Sequence, residues 1–255
     1  MKRNLLYIAL SFVAILLLSG CEKTSNIVLG NNLLTYESYG RIDVNHDAFD
    51  AQIVLHHYAN GYGIIEFDRP ITKIGDYAFS DCSSLTSITI PDTVNSIGDW
   101  AFYNCDSLTS ITLPDGVTHI GRETFCNCYS LTSITIPNGV THIGRKAFYN
   151  CDSLTSITIP DTVNSIGDWA FYNCYSLTSI TIPDGVTHIG DRAFCYCNNL
   201  TKVICTATTP PLGGIAMFHN NAKVRKIFVP SESVELYKSA PNWIYYAKMI
   251  IGYDL

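Results

Sequence analysis

Between Ile71 and Thr208 a block of 23 residues follows itself six times without a gap. The fifth copy, Val163 to Gly185, differs from the second, Val94 to Gly116, only at Asp106/Tyr175 and Leu113/Ile182. In the first copy Ile71, Ile74, Ala78, Phe79, Cys82, Leu85, Ile88 and Ile90 are the apolar positions, and their equivalents recur in each later copy. One such turn cannot bury its own apolar side, but stacked turns align equivalent side chains in columns and create a continuous core. The segment Leu85 to Ile90 alternates as a short strand with one buried face, and Pro91 and Asp92 then end the strand and turn the chain. The expected fold is a β-rich repeat solenoid with 23-residue turns.

An array of this kind needs polar-faced ends. Before the repeats, Ile53 to Tyr58 and Ile64 to Phe67 are β-rich runs around Asn60-Gly61, a favoured hairpin turn pair, so an N-terminal capping hairpin is expected within residues 34–70. After them, residues 209–255 read as a C-terminal strand-helix cap. Lys226 to Pro230 forms its strand, and a short helix starts at Glu232 with Ser231 as N-cap and Glu235 near its positive end. Val234, Tyr237, Trp243 and Tyr246 are expected to cover the last core layer.

The start of the chain reads as an export signal over residues 1–20. Lys2 and Arg3 precede an apolar run, Leu5 to Leu18, broken only by Ser11. That run is short for a bilayer span, which takes about 20 apolar residues. Leu18, Ser19, Gly20 and Cys21 resemble the bacterial lipobox, which implies cleavage before Cys21 and a diacylglycerol on its thiol. Residues 21–33 then form a lipidated tether. Membrane attachment is expected through this lipid alone, in a bacterial envelope, at the outer membrane and exposed at the surface. Loss of Lys2 and Arg3 with the signal takes the formal charge from −6 to −8, which disfavours phosphate backbones, so no nucleic-acid partner is expected.

The repeat wording, I-G-x-x-A-F-x-x-C-x-x-L-T-S-I-T-I-P, resembles the leucine-rich repeat and within it the BspA-like family of bacterial surface proteins. The resemblance covers the six copies and both flanks. It implies a cell-surface solenoid that binds other proteins, including host-matrix or coaggregation partners.

Ten cysteines in an exported chain invite a disulfide or metal reading. Six of them, Cys82, Cys105, Cys128, Cys151, Cys174 and Cys197, share one slot of the repeat. Parallel side chains in such a column hold Cβ atoms about 4.8 Å apart, beyond the ~3.8 Å of a disulfide, so structural free thiols are expected. By the family resemblance this slot holds Asn or Cys facing inward. The pairs Cys126/Cys128 and Cys195/Cys197 lack the spacing and converging partners of a zinc site, because their outer members align with Tyr103, Tyr149 and Tyr172. His119, His142 and His188 share another slot with Ser96 and Ser165, which suits a solvated turn position better than a metal or pH-sensitive patch. No metal and no cofactor is expected. Catalysis needs differentiated groups in one concave place, which nearly identical turns do not supply, so no enzyme is expected either.

What remains is surface. Ser87, Thr89, Ser110, Thr112, Ser133, Thr135, Ser156, Thr158, Ser179 and Thr181 take the outward offsets of the strand segment and form a hydroxyl lattice, either a binding face or a solvated, β-favouring one. Trp100, Trp169, Tyr103, Tyr149 and Tyr172, with Tyr77, Tyr129 and Tyr175, fall at variable slots of the turns. They either anchor a partner or pack against the adjacent turn. The leading expectation is an extracellular protein partner, with adhesion to host or neighbouring-cell proteins. Glycan capture on the aromatics and a structural envelope spacer are the alternatives. The second and fifth copies lie 69 residues apart, so the duplicated unit reads as a cassette of three turns whose repeated contacts act through avidity.

Overall fold

A computed structural model describes residues 32–254; Cys21 and the export signal lie outside the described residues. The chain winds as a solenoid in which successive turns meet along three lines of backbone hydrogen bonds. The first is a column of two-residue strands: β4 (Lys73–Ile74), β6 (Ser96–Ile97), β8 (His119–Ile120), β10 (His142–Ile143), β11 (Ser165–Ile166), β13 (His188–Ile189) and β15 (Leu212–Gly213). β4 pairs with β6, and the last five form one parallel sheet in chain order. The register joins equivalent residues of adjacent copies, as in His142 beside His119 and Ile143 beside Ile120.

A second column is formed by β5 (Leu85–Thr89), β7 (Ser110–Thr112), β9 (Ser133–Thr135), β12 (Ser179–Ile182), β14 (Lys202–Cys205), β16 (Lys226–Pro230) and β17 (Ile250–Tyr253). β7 pairs with β9, and β12, β14, β16 and β17 form a parallel sheet. Between β9 and β12 the amides of Thr155 and Thr178 reach the preceding turn at 3.4 Å, and no strand is formed there.

On the third side the chain runs in stacked turns, not a helix. Amides of alternate residues donate to the following turn: Trp100 to Arg122, Phe102 to Thr124 and Asn104 to Cys126. Those between them donate three residues back, Tyr103 to Trp100 and Cys105 to Phe102. This alternation puts two residues per turn at positive φ, such as Trp100 at 54° and Asn104 at 56°. The left-handed region costs an L-residue roughly 1–2 kcal/mol, and Asn tolerates it best after Gly. Asn104, Asn127, Asn150 and Asn173 fill the second such slot.

The core is a ladder of rings. Phe79, Phe102, Phe125, Phe148, Phe171, Phe194 and Phe218 are fully buried, with successive centroids 5.1 to 5.5 Å apart. Close approach of the turns requires the invariant glycine of the repeat: a Cβ on Gly144 would lie 2.6 Å from the carbonyl carbon of Gly121, and one on Gly167 2.7 Å from the amide of Arg145.

The stack continues past the six copies. β15 pairs with β13, and Phe218 stacks on Phe194, so residues that read as the start of the C-terminal cap form a seventh turn. Its offset is 24 residues, Ile189 pairing with Gly213 and Lys202 with Lys226. β17 then adds to β16 as the last strand of the second column. The helical part of the cap is a 3-10 turn at Ser231–Ser233 followed by α1 (Val234–Ser239). Ser231 belongs to that turn, and no side chain hydrogen-bonds the start of either element, which corrects the N-cap expected at Ser231. Tyr237, Trp243 and Tyr246 are buried over the last layer.

At the other end β2 (Ile53–Ala59) and β3 (Tyr62–Phe67) form the hairpin, with Asn60 at φ 51° and Gly61 at φ 89° in its turn. A further strand, β1 (Leu33–Ser38), lies between β3 and β5, antiparallel to both. Among the described residues no helix is long and apolar enough to cross a membrane.

Candidate binding surfaces

The second column of strands presents Ser110, Thr112, Ser133, Thr135, Ser156, Thr158, Ser179 and Thr181 outward, all exposed, with Ile111, Ile134, Ile157 and Ile180 buried between them. Thr89 is exposed as well, whereas Ser87 is half-buried because β1 pairs Glu37 against it. A neighbouring hydroxyl column was not singled out by sequence. Thr109, Thr132, Thr155 and Thr201 each donate their Oγ1 to the carbonyl of the threonine one turn back, at 3.0 to 3.4 Å. The fixed L-T-S spacing was the available signal. These threonines tie turns together, while the Ser and Thr one and three positions on have no partner of this kind and face solvent.

The aromatics engage one another before any ligand arrives. The Trp100 ring stacks on Tyr77 at 4.9 Å and carries the Arg122 guanidinium 4.7 Å from its centroid. Trp169 carries Arg145 at 4.9 Å, and Tyr149 and Tyr172 stack at 4.9 Å. Tyr103 is half-buried, and Tyr129 and Tyr175 stand out from the turn that follows the cysteine slot. The aromatics thus form separate stacks on the turn side, away from the hydroxyl face. Acidic side chains two residues after the buried isoleucine of the first column accept the next turn's amide, Asp76 from Asp99, Asp99 from Arg122, Asp168 from Asp191 and Asp191 from Ile215.

The six cysteines of the repeat slot are free and buried, and so are Cys126, Cys195 and Cys205. Cys105, Cys128, Cys151, Cys174 and Cys197 each direct Sγ to the carbonyl of the phenylalanine 26 residues earlier, at 3.1 to 3.2 Å. Cys82 makes the same contact to the Asp43 carbonyl, so the N-terminal cap supplies what a preceding turn would. Burial pushes the thiols of Cys82, in the column, and Cys126, outside it, up to about 12 and raises the other five of the column as well. Low-pKa nucleophiles have the opposite environment. His119, His142 and His188 are exposed on the first column, with Thr118 and Thr141 hydroxyls against the Nδ1 atoms of His119 and His142. Among the described residues no group of three or more His, Cys, Asp or Glu side chains is placed to hold a metal ion.

The family model described as "BspA type Leucine rich repeat region (6 copies)" matches residues 58–144 and 118–242. Among solved structures, a leucine-rich-repeat protein of T. pallidum is 33% identical over 58% of this chain and 68% of its own, with a TM-score of 0.54. A leucine-rich cell-surface protein of Faecalibacterium prausnitzii is 34% identical over 61% of this chain and 47% of its own, with a TM-score of 0.45. No curated protein matches the chain. The repeat, the ring ladder and the matched span together establish that this chain belongs to the BspA-type leucine-rich-repeat family.

Proposed function

We propose that this chain is a lipid-anchored surface protein of a bacterium whose solenoid holds an extracellular protein, in adhesion to a host or to a neighbouring cell. The observation that carries this reading is the hydroxyl face: eight exposed Ser and Thr residues from Ser110 to Thr181 repeat at the same offsets of four successive turns, with nothing among the described residues packed over them. Ser and Thr hydroxyls both donate and accept, so such a face pairs with the mixed polar groups of a protein surface. Equivalent weak contacts repeated along an array combine as avidity. Attachment through Cys21 follows from the lipobox-like Leu18 to Cys21, outside the described residues. Glycan capture fits less well, because sugar rings stack on free aromatic faces and both faces of Trp100 are already covered, by Tyr77 and by Arg122. The near-identity of the turns and the raised thiols give no group the differentiated setting of a catalytic residue.

The reading is tested by probing an array of extracellular-matrix and cell-surface proteins with the full chain and with a triple variant, Ser110→Glu, Ser133→Glu and Ser156→Glu. Retention on particular proteins, lost in the variant while its circular dichroism is unchanged, is the expected result. Retention that survives the three substitutions would move the binding site off this face.

A further inference from the structure

The C-terminal end of the stack leaves backbone donors open that every interior turn closes. In the six copies the amides of the three alternate positions on the turn side donate to the next turn, as Arg192 does to Ile215, Phe194 to Met217 and Tyr196 to His219. The seventh turn has no successor. Its middle amide, Phe218, donates to the Tyr246 hydroxyl at 3.1 Å, and Arg225 Nη1 donates to the Phe218 carbonyl at 2.8 Å, so the cap replaces part of the missing turn. The flanking amides of Ala216 and Asn220 have no acceptor among the described residues. Both line a groove of about 720 Å³ between the seventh turn and the cap, together with Asn221, Lys223, Arg225 and Tyr245.

That groove is rich in donors and free of acids. Among the described residues no Asp or Glu lines it, although the chain as a whole carries a net charge of −6. Arg225 is 5% exposed, yet no carboxylate among the described residues pairs with it: Nε has no partner there, Nη2 meets only the thioether of Met249, and the Phe218 and Tyr246 rings flank the guanidinium. The carboxamide Nδ2 of Asn221, in the slot that earlier turns fill with cysteine, has no partner either. A buried charge normally has a counter-charge, and buried donors normally have acceptors.

We propose that this groove is a second binding site, separate from the hydroxyl face, and that it takes an acidic peptide segment. The peptide's carbonyls meet the Ala216 and Asn220 amides, where a further turn would have placed its own. An Asp or Glu side chain enters beside Lys223 and supplies the counter-charge that Arg225 lacks. Addition to an open backbone edge gives affinity without regard to sequence, and the carboxylate gives selectivity.

The test titrates three probes into the isotope-labelled full chain in detergent while amide resonances are followed. They are an N-acetylated, C-amidated hexapeptide with two Glu residues, its Gln counterpart, and inorganic phosphate. The expected result is a shift of the Ala216 and Asn220 amides by the Glu peptide, with at least tenfold tighter binding than the Gln peptide. Lys223 is exposed, so Lys223→Glu should weaken the Glu peptide about tenfold with the amide spectrum of the repeats unchanged. Equal binding of the two peptides, indifference to Lys223→Glu, or the same amide shifts from phosphate alone would overturn the assignment. Arg225→Gln is a weaker probe, because Arg225 also caps the Phe218 carbonyl.

Discussion

At Asn104, Asn127, Asn150 and Asn173 one side chain answers two demands. Each residue holds a positive φ, between 56° and 62°, and each Nδ2 donates to the side-chain oxygen one turn back, at 2.7 to 2.9 Å. Glycine would meet the first demand and alanine neither. Asn150→Gly removes two ladder hydrogen bonds and should cost about 1–2 kcal/mol, whereas Asn150→Ala adds the left-handed penalty and should cost about 2–4 kcal/mol. Urea unfolding of the two variants checks the order. The thiols give a second residue-scale expectation. Burial raises Cys82 and Cys126 from 9.0 to about 12, so the fold favours their neutral form. Their contribution to stability is complete below pH 9 and declines as pH rises from there towards 12, because the unfolded chain ionises first. The urea midpoint should therefore fall between pH 8 and pH 10, and native thiols should resist alkylation at pH 8 until urea opens the fold.

Contact between turns depends on what is absent at the glycine slot as much as on the ring ladder. In Gly144→Ala the new Cβ meets backbone at 2.6 Å, which cannot rotate away, so the turns must separate locally. A loss of about 1–3 kcal/mol is expected, as for overpacked cores. Gly40→Ala, with nothing within 4 Å, serves as a near-neutral control in the same thermal unfolding series. The elements that repetition specifies were legible in the sequence: turn length, buried columns and outward offsets follow from the period alone, and the hairpin from Asn60-Gly61. What was hidden lies where the period breaks. The seventh turn has one extra residue, Met217-Phe218 in place of Ala-Phe and Asn221 in place of cysteine, so periodicity does not reveal it. β1 carries an ordinary alternation, and its antiparallel docking on β5 depends on an edge that exists only after the solenoid forms. The open amides of the C-terminal groove are likewise a product of stacking, invisible residue by residue, whereas packing of the aromatics against the adjacent turn was one of the two readings their slots allowed.

As a whole the molecule is a one-dimensional array with a cap at each end, and near-identity of the second and fifth copies makes its length adjustable. Deleting residues 94–162 joins Thr93 to Val163 and sets the first turn on the fifth. Trp169 would then stack on Tyr77, and Asn173 would bond Asp81, as Trp100 and Asn104 do now. The shortened chain should fold with cooperative unfolding and be about 14 Å shorter, three strand spacings, by small-angle scattering. It also keeps both caps and the C-terminal groove while losing Ser110, Thr112, Ser133, Thr135, Ser156 and Thr158 from the hydroxyl face. Retention of the full and the shortened chains on one array of extracellular proteins therefore tests repeated display most directly. The expected result is binding by the full chain to particular proteins, weakened at least tenfold by the deletion; a blank array, or equal retention of both chains, would contradict it.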